Sequence, residues 1–217
     1  MQRYSGPPPA SLQLGDRVVA PAAPLVTFVS RHLEPLRGLR QVLQAWPMVL
    51  EQRPDAQLLL VGLEDAGGYG LETPKGPSHL DDALTALPSQ VDRNSIRAVG
   101  VLDHPSLVQA LQCSACHLAL SYPYTLSWSH LEALACAAPV VTNLNSPLSW
   151  ELEDDVSGLF CHFSDARGLA ELILALLENP GLRDRLGQRG RAVAQQRFSQ
   201  KVALQTFEAL FAQLRSP

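Results

Sequence analysis

From residue 25 onward, short uninterrupted apolar runs alternate with segments of helical periodicity, and this alternation constrains the fold more than any other feature of the chain. Leu25–Val29, Gln57–Val61, Ile96–Val101, Cys116–Leu120, Pro139–Thr142 and Gly158–Cys161 read as strands. After the first of these, Leu39, Val42, Leu43, Trp46, Val49 and Leu50 recur at helical spacing, with Pro47 placed to kink the helix. Helices are also expected over Pro105–Gln112 and Trp128–Ala137. Leu169, Leu172, Ile173, Leu176 and Leu177 make an apolar face that stops at Asn179-Pro180, and Val202, Phe207, Leu210, Phe211 and Leu214 make another. Residues 63–80 form a polar, glycine-rich stretch, and residues 1–24, rich in Pro, Ala and Gly, read as a linker or loose N-terminal arm. Continuous apolar strands alternating with helices imply an α/β fold, a Rossmann-like parallel sheet covered on both faces, over residues 25–217. Ligands in such sheets sit beyond the carboxyl ends of the strands.

The chain has 217 residues, so one domain with an extension is expected on a scale of about 100–200 residues per domain. A net charge of −4, with no run of five like charges, gives no support to a nucleic-acid partner. No apolar stretch approaches the roughly 18 residues that a membrane span needs, and the N-terminus lacks a signal-like apolar core. A cytoplasmic location is the default expectation. Cys113 and Cys116 stand in a C-x-x-C spacing without a second pair or a following H-x-x-x-H. With Cys136 and Cys161 they are expected to be small buried hydrophobes. His104, His117, His130 and His162 do not group with acids at metal-ligand spacing, and His117 reads as a core histidine with its hydrogen bonds met.

Three segments fall at expected carboxyl ends. Arg31, Arg37 and Arg40 crowd the loop after the first strand with His32, which fits either a bound anion or a solvated surface loop. The second segment runs from Ser121 through Tyr124, Leu126 and Ser127 to Glu132, where a strand turns into a helix whose first N–H groups are open to a phosphate. Glu132 lies on an otherwise apolar helix; Ser129-His130-Leu131-Glu132 matches a capping box, so the carboxylate is expected to serve the helix itself. The third is Gly100 with Val101 and Leu102, suited to a flat base. Gly67-Gly68-Tyr69-Gly70 matches no dinucleotide-binding pattern.

Taken together, these segments resemble the C-terminal donor-binding domain of glycosyltransferase family 4, the group 1 retaining enzymes of the GT-B fold. The resemblance lies in Ser30-Arg31 with Arg37-Gly38, in Ile96 through Gly100-Val101, in Leu131-Glu132-Ala133 through Pro139-Val140-Val141, and in Glu151 with Gly158-Leu159-Phe160. Their order and spacing agree with the family over residues 25–215. The resemblance implies that Arg31 and Arg37 clamp the diphosphate of a UDP-, GDP- or ADP-sugar. It also implies that Glu132 holds the ribose hydroxyls, that Leu126 and Ser127 offer amides to phosphate, and that Val101 and Leu102 border the base. No bound metal is expected, and an acceptor-binding domain or subunit is the implied partner. A non-catalytic nucleotide-sugar-binding module is the alternative. The chain departs from the family at three points: Tyr124 stands where a glutamate is usual beside the sugar, Arg37 replaces a lysine, and Ala137 or Ala138 replaces a glycine. In relatives with two domains the last helix crosses to the other domain, so Phe207, Leu210 and Phe211 are expected either partly exposed or packed on their own domain.

Overall fold

The computed structural model describes residues 24–70, 74–122 and 125–215, with Tyr4, Gly6, Pro9 and segments 11–14 and 17–19. Strands β1 (Leu12–Leu14) and β2 (Arg17–Val19) pair antiparallel in the N-terminal segment, and Leu12 is buried. The main sheet holds β3 (Leu25–His32), β4 (Gln57–Leu63), β5 (Ile96–Ala98), β6 (Cys116–Ala119), β7 (Val140–Asn143) and β8 (Leu159–Cys161). All six are parallel, in the order β5-β4-β3-β6-β7-β8. The chain therefore winds outward from β3 in one direction and returns to wind outward from β6 in the other. The crevice between the carboxyl ends of β3 and β6 is the switch point where doubly wound sheets bind ligands.

Alternate strand residues feed two cores. Val26, Phe28, Leu58, Leu60 and Leu118 face α1 (Leu39–Gln52), α2 (His79–Thr85) and α5 (Ala166–Glu178). Leu25, Val29, Leu59, Val61 and Ala119 face α3 (His104–Cys113) and α4 (Trp128–Ala135). Helix α1 continues through Pro47, which removes one backbone donor, because Val42, Leu43, Trp46 and Val49 bury its apolar stripe completely. Trp46 donates its indole N–H to Ser95 Oγ at 2.8 Å, so its burial leaves no orphaned donor.

The polar stretch 63–80 conceals the start of α2: Ser78 caps it by accepting from the Asp81 N–H at 3.0 Å. Asn179-Pro180 ends α5 and at once begins α6 (Pro180–Arg197), with Asn179 Oδ1 accepting from Leu182 N at 2.9 Å and Pro180 in the first turn. The last helix, α7 (Gln200–Arg215), exposes Leu204, Phe207, Leu210, Phe211 and Leu214, so this face is not packed on its own domain. None of the described helices is long and apolar enough to cross a membrane.

The four cysteines are free thiols. Burial pushes the Cys161 thiol up to about 11 and the Cys136 thiol up to about 12, which suits inert core residues. His117 is fully buried but only half satisfied. Its Nδ1 meets Thr27 Oγ1 at 2.9 Å, while its Nε2 has no partner among the described residues. Its ring packs edge-on to buried His130, with centroids 6.2 Å apart.

Candidate functional site at the strand-order switch

The β3–α1 loop begins with a bulge between Val29 and His32, where Ser30 Oγ donates to the His32 carbonyl at 2.6 Å. A short turn, Pro35–Arg37, then ends on Gly38 at φ 87°. A side chain there would be strained, and its Cβ would lie 2.6 Å from Leu120 Cβ. Glycine thus lets the loop rest against the end of β6. The contact is fixed by Tyr122 N–H donating to Leu36 O at 2.7 Å and by Arg37 Nη1 donating to Ser121 Oγ at 3.0 Å. Ser121 is held in turn by its own N–H on Asn143 Oδ1 at 2.8 Å. Loops after β3, β6 and β7 therefore converge on one guanidinium. Arg31, at the carboxyl end of β3, is exposed, and no hydrogen bond or ion pair occupies its side chain among the described residues.

The loop after β4 joins this arrangement. His32 Nδ1 pairs with Asp65 Oδ1 at 2.9 Å, and that hydrogen bond holds the Asp65 carboxyl below its ordinary range. The Tyr69 N–H donates to Glu34 Oε2 at 3.0 Å, and the Arg37 guanidinium lies 5.1 Å from the centre of the Tyr69 ring. Sequence reading singled out none of Glu34, Asp65, Tyr69, Ser121 or Asn143 as functional. The available signals were an acid among Leu33, Pro35 and Leu36, and a double glycine ahead of an aromatic.

Across the switch, Ser127 opens α4 as its N-cap without capping through its side chain, and its Oγ meets Ser129 Oγ at 2.9 Å. Leu126 is half-buried against the core that holds Val29, and Leu102 packs on the same cluster. Val101 is exposed beyond β5. Tyr124 lies outside the described residues.

The expected capping box is not formed. Because α4 begins at Trp128, Ser129 is already inside the helix and Glu132 is too far along to reach the first N–H groups. Glu132 Oε1 instead meets His104 Nε2 at 3.0 Å and accepts from the Tyr4 hydroxyl at 3.3 Å. His104 was not grouped with any acid in the sequence; the fold brings it to Glu132 by seating α3 beside α4. Tyr4, Trp128, Leu131, Glu132, Phe198 and Gln200 are among the residues around a small cavity of about 150 Å³ next to this cluster. Among the described residues no three His, Cys, Asp or Glu side chains come together as a metal site.

Cationic side chains thus lie at the switch point of a parallel sheet, and a carboxylate lies on the neighbouring helix. The sequence model of the group 1 glycosyl transferases matches residues 17–193. The chain belongs to this family. It is 29% identical over 188 residues to a GDP-mannose-dependent monoacylated alpha-(1-6)-phosphatidylinositol monomannoside mannosyltransferase of Corynebacterium glutamicum, covering 82% of this chain and 44% of that protein. The HepE protein of Anabaena, solved in complex with UDP-glucose, superposes with a TM-score of 0.70 at 23% identity, over 87% of this chain and 49% of that one. The C-terminal domain of a group 1 glycosyl transferase from Francisella tularensis superposes with a TM-score of 0.65 at 16% identity, over 81% of this chain and 87% of that domain. The chain spans about half the length of the curated relatives it matches.

Proposed function

We propose that this group 1 glycosyltransferase chain is the nucleotide-sugar-binding half of a family 4 enzyme that transfers with retention. Arg31 and Arg37 hold the donor diphosphate, and the first N–H groups of α4, near Leu126 and Ser127, add positive potential beside it. Glu132 accepts from the ribose hydroxyls, and Val101 and Leu102 border the base. Tyr124 stands at the sequence position where the family's sugar-side glutamate is usual. The observation that carries this reading is the bridge from Arg37 to Ser121 at the strand-order switch. It sets a guanidinium, the fork best matched to phosphate oxygens, where this fold binds ligands.

The chemistry asked of these groups is electrostatic. As the glycosidic bond breaks, negative charge grows on the departing diphosphate, and pre-oriented donors stabilise it without reorganising. Two guanidinium groups and a helix terminus supply that stabilisation, so the reading assigns no metal, and a chelator leaves donor affinity unchanged. The acceptor side belongs to a further domain or chain.

Calorimetric titration with UDP, GDP, ADP and their sugars tests this directly. Saturable binding of at least one of them is expected, weakened at least tenfold or so by Arg31→Ala or Arg37→Ala. No binding to any of the three would sink the proposal. Tyr124 in place of a carboxylate favours a second reading, a binding module without catalysis. The two separate on turnover with an acceptor domain supplied; with this chain alone, no efficient transfer is expected.

A further inference from the structure

The glycine-rich loop after β4 is folded back onto the arginine-bearing loop, and three contacts among the described residues fasten it. These are the His32–Asp65 pair, the Tyr69 N–H on Glu34, and the Tyr69 ring against Arg37. Two consecutive residues without side chains make the approach possible. A Cβ on Gly67 would lie 2.8 Å from the His32 ring, and one on Gly68 would lie 2.5 Å from Glu34 Oε2. Glu34 is 1% exposed, and its Oε1 has no partner among the described residues. A buried carboxylate with an unmatched oxygen is destabilising, so stability of the loop alone does not account for an acid at this position.

We propose that Glu34 and Tyr69 are positioning residues for Arg37. The carboxylate pins the backbone of Tyr69, and the ring of Tyr69 fixes the plane of the guanidinium while Ser121 fixes its edge. An arginine side chain loses much rotamer freedom on binding, and a fork held in one orientation beforehand loses less of it on meeting a diphosphate. The loop after β4 therefore acts on phosphate affinity by holding Arg37 rather than by touching the ligand. This inference rests on the reading of Arg37 as the diphosphate clamp.

The test is calorimetry of the whole chain with two probes, inorganic pyrophosphate and whichever nucleoside diphosphate binds. Tyr69→Ala is expected to raise Kd roughly three- to tenfold for both probes by the same factor. Tyr69→Phe keeps the ring and stays within about twofold of the parent. Tyr69 is 45% exposed, so the melting temperature of the ligand-free Tyr69→Ala protein changes little. Gly68→Ala, which forces the backbone off Glu34, reproduces the weakening and decides the matter if Tyr69→Ala does not fold. Unchanged or tighter binding in Tyr69→Ala and Gly68→Ala, alongside loss in Arg37→Ala, overturns the positioning role and leaves Arg37 as the clamp. An absence of binding in the parent chain overturns both.

Discussion

Arg37 Nη1 donates to Ser121 Oγ at 3.0 Å, joining the loops that leave β3 and β6 at the gap where strand order reverses. Ser121 is buried and anchored by Asn143 at the end of β7, so the bridge ties three parallel strands to one cation. Its geometry makes the arginine hard to replace by lysine. A lysine ammonium can donate to both Ser121 and a phosphate, but as a point charge on a flexible stem it does not hold the two contacts in one plane as the rigid fork does. Arg37→Lys is therefore expected to weaken nucleoside diphosphate binding about tenfold, and Ser121→Ala about two- to fivefold, as measured by calorimetry. Equal affinity in Arg37→Lys and parent would show that charge alone matters.

Ala137, one of the two alanines expected to stand where the family has a glycine, adopts φ 60° in the turn after α4. The left-handed conformation costs a residue with a Cβ about 1–2 kcal/mol, partly offset by the greater freedom of glycine in the unfolded chain. Ala137→Gly is expected to stabilise the protein by about 1 kcal/mol, a rise of roughly 2–4 °C in Tm for a chain of this size. Calorimetric melting decides it, and a lower Tm would refute the account.

His117 and His130 are buried against each other, with no carboxylate partner among the described residues. Burial pushes His117 down to about 3, and burial, then His117, then Arg37 push His130 well below its usual range. Both therefore stay neutral in the folded chain while the unfolded chain takes up protons below about 6.5. Folding stability is complete above that value and is lost as pH falls through it, by on the order of 1 kcal/mol per pH unit for each histidine. Urea midpoints measured between pH 7.5 and 5 should show this slope, and His117→Asn should flatten it. A midpoint indifferent to pH in this window would contradict the buried, neutral pair.

Phe207 and Phe211 lie on the exposed face of α7, their rings stacked with centroids 6.4 Å apart and each more than half exposed. Replacing both with Ser is expected to change unfolding free energy by no more than about 0.5 kcal/mol, the ordinary range for surface sites. Backbone amides of α7 should exchange with solvent much faster than those of α1, whose apolar stripe is fully buried. Strong protection in α7 would mean that the helix has found a partner surface.

The strands and the helices with apolar stripes were readable because burial imposes a period on the chain: Val26 and Phe28 must be apolar on one face, Leu25 and Val29 on the other. Helix α2 was not readable, since seven residues beginning His79-Leu80-Asp81-Asp82 show too little of a period. Helix α6 shows no apolar stripe of its own in the sequence: it is polar along most of its length and buries Leu186, Gly187, Gly190 and Ala194.

At the site the division follows the same physics. Arg31, Arg37 and the helix start at Ser127 are local features, since a basic cluster and an N-terminus announce themselves within a few residues. The sequence alone therefore determined the fold class, the family and the candidate phosphate end. Partners that meet across the sheet carry no local period. Arg37 with Ser121, Glu34 with the Tyr69 backbone, and Glu132 with His104 and Tyr4 rather than its own helix depend on strand order and on which helices lie side by side. Only the tertiary structure decided those, because a hydrogen bond between distant residues is set by where packing leaves two side chains and not by the residues between them.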